Sequence, residues 1–168
     1  MVITSLNVLK DFYINIEKMS TQFADWDTSK WLVGSSFSFL IPSFYAYRKK
    51  QYLYSSILIG TTFFSVNHWR KPENGWRRIL DIIYASITFI VFTKVGDRYI
   101  GRKWYGYSGL ALILGLYKMS HHVYQTKGRD SNWFIYHLLF HLCTVAHLTI
   151  IVGSAPPKQI HRQVTRIL

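Results

Sequence analysis

The feature that most constrains this chain is a long uncharged stretch that contains two histidines. Between Ser131 and Pro157 there is no Lys, Arg, Asp or Glu, and a helix needs roughly 20 apolar residues to cross a bilayer. His137 and His141 lie one helical turn apart within this stretch and therefore share one face. Because imidazole is costly to place beside lipid, both side chains are predicted to face other helices or a wet cavity.

Four more apolar runs precede this one. The chain has 20 Lys and Arg residues, but they lie between the runs, and 49% of all residues are hydrophobic. Only the third run encloses a formal charge, Asp81. The charges that bracket the five runs are Lys30 and Arg48, Lys50 and Arg70, Arg78 and Lys94, Lys103 and Lys118, and Asp130 and Lys158. The pattern predicts an all-α, polytopic membrane helix bundle with about five transmembrane helices.

The bundle is predicted to occupy residues 31–153. Residues 1–30 place apolar side chains at helical spacing among charged ones, which predicts an amphipathic amino-terminal helix on the membrane surface or on a partner. Residues 154–168 form a basic tail. Pro42 is predicted to kink the first span. The expected spans are 31–47, 51–69, 79–93, a fourth from Trp104 that continues past Lys118 to His121 and His122, and 133–152, with a charged loop at 94–103.

The basic side chains suggest lipid as a partner. The net charge is +12, but a nucleic-acid footprint needs its basic residues on one continuous face, and here they are spread among loops and tails. Contact with anionic lipid headgroups, at about 1 kcal/mol per well-placed cation, or with other membrane protein subunits is expected instead of nucleic acid. The predicted headgroup contacts are Arg48, Lys49, Lys50, Arg77, Arg78, Arg102 and Lys103.

Neither charge nor cysteine content assigns an orientation or a compartment. The Lys and Arg residues divide equally between the two predicted sides, so the positive-inside rule does not choose between them. The single cysteine, Cys143, cannot form an intrachain disulfide. An integral membrane location is predicted, with a mitochondrial inner membrane, another endomembrane and a virion left open.

Five crossings would gather the unusual polar side chains at one end of the bundle. The end of the second span and the start of the third and fifth spans would carry His68, Asp81, His137 and His141, with Ser65 one turn deeper. Three neutral imidazoles, an open fourth position and a nearby carboxylate are what a catalytic zinc site requires. In that interpretation His68, His137 and His141 bind zinc, and Asp81 orients or deprotonates water. Ser65 then hydrogen-bonds to the substrate or to a residue of the second shell.

Each of these residues also has a purely structural interpretation. Asp81 could pair with Arg77 or Arg78 one turn away, and His68 could be an interfacial aromatic beside Trp69. Further along the chain, His121 and His122 are expected at headgroup level and His147 in helix packing.

The pattern of Ser65, His68, Asp81 and His137-x-x-x-His141 resembles the CREST superfamily of membrane hydrolases, which includes the alkaline ceramidases. The resemblance covers roughly residues 57–145 and implies a zinc held by the three histidines, with cleavage of an amide or ester bond in a lipid. The chain differs from the superfamily in having fewer predicted spans, a serine one residue closer to its histidine, and a longer gap between His68 and Asp81.

Because of these three differences, the first functional expectation is a non-catalytic subunit of a larger membrane assembly, in an organelle such as a mitochondrion or in a virion. The alternative is a zinc-dependent lipid hydrolase. A third expectation is a haem-binding electron carrier with imidazole axial ligands from the second and fifth spans.

Overall fold

The computed structural model describes residues 24–101 and 103–157 and shows an all-α fold. No strand occurs in these two ranges. The predicted amphipathic helix lies largely outside the described residues, as do Arg102 and tail residues 158–168. The described ranges contain six helices: α1 (Trp26–Phe37), α2 (Leu40–Arg48), α3 (Tyr52–Arg70), α4 (Trp76–Tyr99), α5 (Trp104–Lys127) and α6 (Trp133–Ser154).

Two of the six helices, α4 and α6, are long and apolar enough to cross a membrane. Helix α6 is also the centre of the packing, because α1, α2, α4 and α5 all contact it. The helix predicted at 133–152 and the continuation of the fourth helix past His122 are both confirmed as helices. The predicted charged loop at 94–103 is wrong at its start, because α4 continues to Tyr99 and includes Lys94, Asp97 and Arg98.

The first predicted span is divided into α1 and α2. Helix α1 begins at Asp25, whose carboxylate accepts the Thr28 N–H at 2.7 Å, and this hydrogen bond lowers the pKa of Asp25. The helix ends at Phe37, just before Ser38. Pro42 explains this position, because proline lacks an N–H and its ring clashes with the carbonyl four residues earlier. The predicted kink is therefore present as a break at Ser38 and Phe39.

Two apolar clusters lie toward opposite ends of the bundle. One contains Trp69 and Trp133 with Ala24, Leu32 and Val123. The other is built from the far halves of the helices and contains Phe39, Ala46, Leu58, Phe92, Ile100, Val145, Leu148, Ile151 and Val152. Polar side chains of α1, α3 and α6 lie between these clusters, and they form the candidate site.

Helix α2 ends in a turn that holds the end of α6. The Gln51 and Lys50 N–H groups donate back to the Ala46 and Tyr47 carbonyls, both at 2.9 Å, which is a Schellman motif with Lys50 in the left-handed region at φ 59°. The ammonium of Lys49 donates to the carbonyls of Val152, Gly153 and Ala155 at 3.0, 2.7 and 2.5 Å. An ammonium has three donors, so Lys49 caps α6 and has no donor left for the lipid headgroup that was predicted as its partner.

We expect Lys49→Ala to destabilise the fold by about 2 kcal/mol, because three carbonyls at the end of α6 lose charge-assisted hydrogen bonds. The measurement is thermal unfolding of the detergent-solubilised chain, followed by circular dichroism. Lys50→Ala is the matched control, since it removes the same charge from the next, exposed residue and keeps an L-residue in the left-handed position. Equal melting temperatures for the two variants would contradict the capping role.

Candidate functional site

The end of α3 and the start of α6 lie at the same end of the bundle. The ring of Trp69 lies 4.9 Å from that of His137 and 6.0 Å from that of Trp133, centroid to centroid. His68 is buried beside Trp69, with ring centroids 4.7 Å apart, so His68 and His137 contact the same indole ring. The structure thus gathers His68, His137 and His141 in one region.

The rings of His137 and His141 lie on one face of α6 and meet edge to face, with centroids 4.9 Å apart. His141 is buried, and its Nδ1 lies 2.8 Å from Ser35 Oγ in α1. The Ser35 hydroxyl also donates to the Leu32 carbonyl oxygen at 3.0 Å. Because a carbonyl oxygen can only accept, this hydrogen bond uses the single hydroxyl proton of Ser35. Nδ1–H then donates to Ser35 Oγ, and His141 Nε2 keeps a free lone pair.

A second hydrogen bond joins α1 and α3. Ser36 Oγ lies 2.9 Å from Ser65 Oγ, and both serines are buried. The Ser36 hydroxyl donates to the Leu32 carbonyl oxygen at 2.7 Å, so the Ser65 hydroxyl is the donor to Ser36 Oγ. Asp81 of α4 lines the same cavity as Ser65.

A cavity of about 520 Å³ connects this polar cluster with the apolar interior of α4, α5 and α6. Ser65, Asp81, His137 and His141 line it, whereas His68 does not. Along α4 the lining continues from Asp81 to Asp97, which corresponds to about 24 Å of helix by the rise per residue. Most of the wall between these two carboxylates is apolar or aromatic, with Phe89, Phe92, Leu110, Ile113, Phe140 and Leu148 among the lining side chains.

His147 was expected to serve only in packing, but its side chain both packs against α5 and lines the cavity. Its ring packs so closely on Gly109 that a Cβ at that position would lie 2.5 Å from Nδ1. The same side chain lines the cavity, deeper than His141. His121 and His122, by contrast, lie on the exposed surface of α5.

The donor set suits zinc by its chemistry, but its geometry is incomplete. In residues 24–101 and 103–157, no three His, Cys, Asp or Glu side chains are arranged as a metal-binding group. His137 and His141 are adjacent, and Ser120 Oγ lies 3.4 Å from His137 Nδ1. Hydrogen bonds to Nδ1 leave Nε2 available, which is the orientation that metal-ligating histidines usually have.

Three of the predicted headgroup contacts form cation–π pairs with neighbouring aromatic rings. The cationic groups of Arg48, Arg77 and Lys103 lie 5.9, 5.5 and 5.6 Å from the ring centroids of Phe44, Trp76 and Tyr105. Each pair sits at a helix end, where aromatic and basic side chains collect in membrane proteins. Lys50 and Arg78 are exposed, and Arg102 lies outside the described residues.

Ser35, Ser36 and Ser120 were missed by sequence reasoning. For Ser35 and Ser36 the available signal was the concentration of serines in the first uncharged run, which does not show the helix that each hydroxyl faces. Comparison of the chain with known protein families, with curated proteins and with solved structures gives no match.

Proposed function

We propose that this chain is a five-span membrane protein that binds a long-chain lipid in the cavity between α4, α5 and α6. In this proposal α1 and α2 together form the first span, and α3 to α6 form the other four. The lipid chain lies along the apolar wall, and its polar group meets Ser65, Asp81, His137 and His141. The cavity with its polar end is the observation that carries the proposal.

The outer surface of the helices supports the membrane location. Large apolar side chains are exposed on every helix, for example Phe44, Leu53, Phe63 and Ile79 at 63, 66, 64 and 59%. Exposed apolar area of this extent marks a membrane or protein contact. Helices α3 and α5 have 19 and 24 residues, enough to cross a hydrocarbon core of about 30 Å, although their Ser, Thr and His residues lower their hydropathy.

The class of ligand follows from the apolar wall of the cavity and from the polar cluster at its end. In a bilayer a lipid chain gains little from the hydrophobic effect on entering a protein, because its previous surroundings are equally apolar. Affinity must then come from packing and from the polar cluster, whose hydroxyl, carboxylate and imidazole groups suit a hydrogen-bonding head group such as an amide or ester. This requirement selects an amphiphile over a plain hydrocarbon.

We expect Ala85→Trp to reduce labelling of the chain by a photoactivatable long-chain lipid about tenfold, the effect of a loss of roughly 1.4 kcal/mol in binding free energy. Ala85 is an exposed residue of α4 that lines the cavity, so the indole occupies the space of the lipid chain. Ile83→Trp is the control, because Ile83 is exposed on the same helix and does not line the cavity. Equal labelling of the two variants, quantified by mass spectrometry, would contradict lipid binding in the cavity.

A second candidate is zinc-dependent hydrolysis of a lipid amide or ester at the same site. The observation that favours it is the Nδ1 hydrogen bond of His141, which leaves Nε2 free beside His137. His68, His137 and His141 would hold the metal, which when bound would supply a hydroxide near neutral pH. Asp81 and Ser65 would orient the water and the lipid head group from the opposite wall of the cavity.

For this candidate we expect about one zinc per chain in detergent, because three imidazoles make a catalytic-type ligand set. His137→Ala and His141→Ala should each remove at least about nine-tenths of the metal, measured by plasma mass spectrometry. His122→Ala is the control, since that histidine is exposed on α5. Retention of zinc in both site variants would eliminate the hydrolase, and a Soret absorption band in the preparation would favour haem instead.

The expectation of a non-catalytic subunit in an organellar or viral membrane assembly stays a prediction. Its natural docking elements, the amino-terminal helix and the basic tail, lie mainly outside the described residues. The cavity gives the lipid-binding function a specific basis and gives the subunit interpretation none.

A further inference from the structure

A separate groove runs along the outer face of α3, on the side away from the cavity. It has a volume of about 300 Å³ and is lined by Phe37, Leu40, Ile59, Thr62, Phe63, Val66, Asn67 and Arg70. None of these residues lines the cavity between α4, α5 and α6. The groove is therefore a second feature, open on the surface that the proposed function places in lipid.

The break between α1 and α2 contributes one wall of this groove. Phe37 is the last residue of α1 and Leu40 is the first of α2, and both side chains are exposed, at 51 and 43%. Pro42 fixes the place of the break, as described above. The groove thus comes from a local backbone constraint in the first span and lies against the second half of α3.

The length and polarity of the groove match one leaflet of a bilayer. From Ile59 to Arg70 helix α3 rises about 16 Å, close to half of a hydrocarbon core of about 30 Å. The deep end is formed by Phe37, Leu40 and Ile59, and the outer end by Asn67 and Arg70. One end therefore suits a hydrocarbon chain, and the other presents an amide and a cation at the level of the headgroups.

Arg70 differs from several other cations at this end of the bundle. Lys30 pairs with Asp27, Lys71 with Glu73 and Arg129 with Asp25. Arg70 is exposed and has no ion pair or side-chain hydrogen bond with any residue in the described part of the chain. Its planar guanidinium offers several donors in a geometry that matches phosphate oxygens.

We propose that this groove binds one anionic phospholipid, with an acyl chain along Ile59, Phe63 and Val66 and the phosphate at Arg70 and Asn67. The inference rests on the proposed membrane location, but not on the ligand or chemistry of the cavity. The bound lipid fills the space left by the helix break and neutralises one of the excess positive charges. The expected selectivity is for phosphatidylglycerol over phosphatidylcholine.

The test is native mass spectrometry of the full chain, released from nanodiscs that contain equal amounts of phosphatidylglycerol and phosphatidylcholine. We expect one retained phosphatidylglycerol per chain, and a fall of about fivefold in its preference over phosphatidylcholine in Arg70→Gln, the fold-change that corresponds to about 1 kcal/mol for one headgroup cation. Lys127→Gln is the control, because Lys127 is an exposed cation of α5 outside the groove. An equal fall in both variants would overturn the site, since it would show only a general effect of charge.

A second pair of variants tests the part of the groove that binds the acyl chain. Val66→Trp fills the groove and keeps Arg70, and we expect it to lower retention of the phospholipid about fivefold or more. Leu53→Trp adds the same side chain at a 66% exposed position of α3 outside the groove and should retain it. Unchanged retention of the phospholipid in Val66→Trp would overturn the groove as the binding site. It would show that only the headgroup is bound, at Arg70. If the chain retained neither lipid and did not insert into nanodiscs, the proposed membrane location would fail rather than the groove alone.

Discussion

The architecture depends on giving two imidazoles of α6 polar or aromatic partners. His137 and His141 lie in α6, which is one of the two described helices long and apolar enough to cross a membrane, and apolar surroundings could not satisfy their nitrogen atoms. Ser35 supplies the partner of His141 from α1, while Trp69 of α3 covers His137. Four helices, α1, α2, α4 and α5, pack on α6. The contacts that shield the two imidazole rings therefore belong to the same helix packing that holds the bundle together.

The resulting layer of polar side chains lies between two apolar clusters. This position makes the layer a candidate site for chemistry or for ligand binding. Ser36 and Ser65 form one hydrogen-bonded pair, and Ser35 with His141 forms another. Ser65 and His141 line the same cavity as Asp81, and most of the wall beyond them is apolar or aromatic. A lipid head group placed there would encounter a carboxylate and imidazoles with little competition from water. Lipid binding requires only this arrangement, whereas hydrolysis requires in addition that His68 join the histidine pair around a metal.

The sequence predicts much of this fold because charged residues mark the ends of its apolar runs. Helix α6, the extension of α5 past His122 and the break before Pro42 all follow from local rules. The end of α4 does not, because Lys94, Asp97 and Arg98 resemble a loop but can remain helical at a membrane surface. The placement of His68 and His137 at the same end follows from the prediction that successive helices run in alternating directions. The partners Ser35 and Ser36 could not be predicted, since helix rotation decides which neighbour a hydroxyl faces, and no sequence period encodes it.

The most direct test of the account is the sidedness of three exposed positions in sealed vesicles, measured with a membrane-impermeant maleimide in a chain whose native Cys143 is replaced by Ala. Asn74→Cys and Asp130→Cys lie in the loops before α4 and α6, and Lys50→Cys lies in the turn before α3. We expect the first two to be labelled from the same side and Lys50→Cys from the opposite side only. Labelling of Asn74→Cys and Asp130→Cys from opposite sides, or of all three from one side, would contradict the gathering of the histidines and Asp81 in one layer of a membrane-spanning bundle.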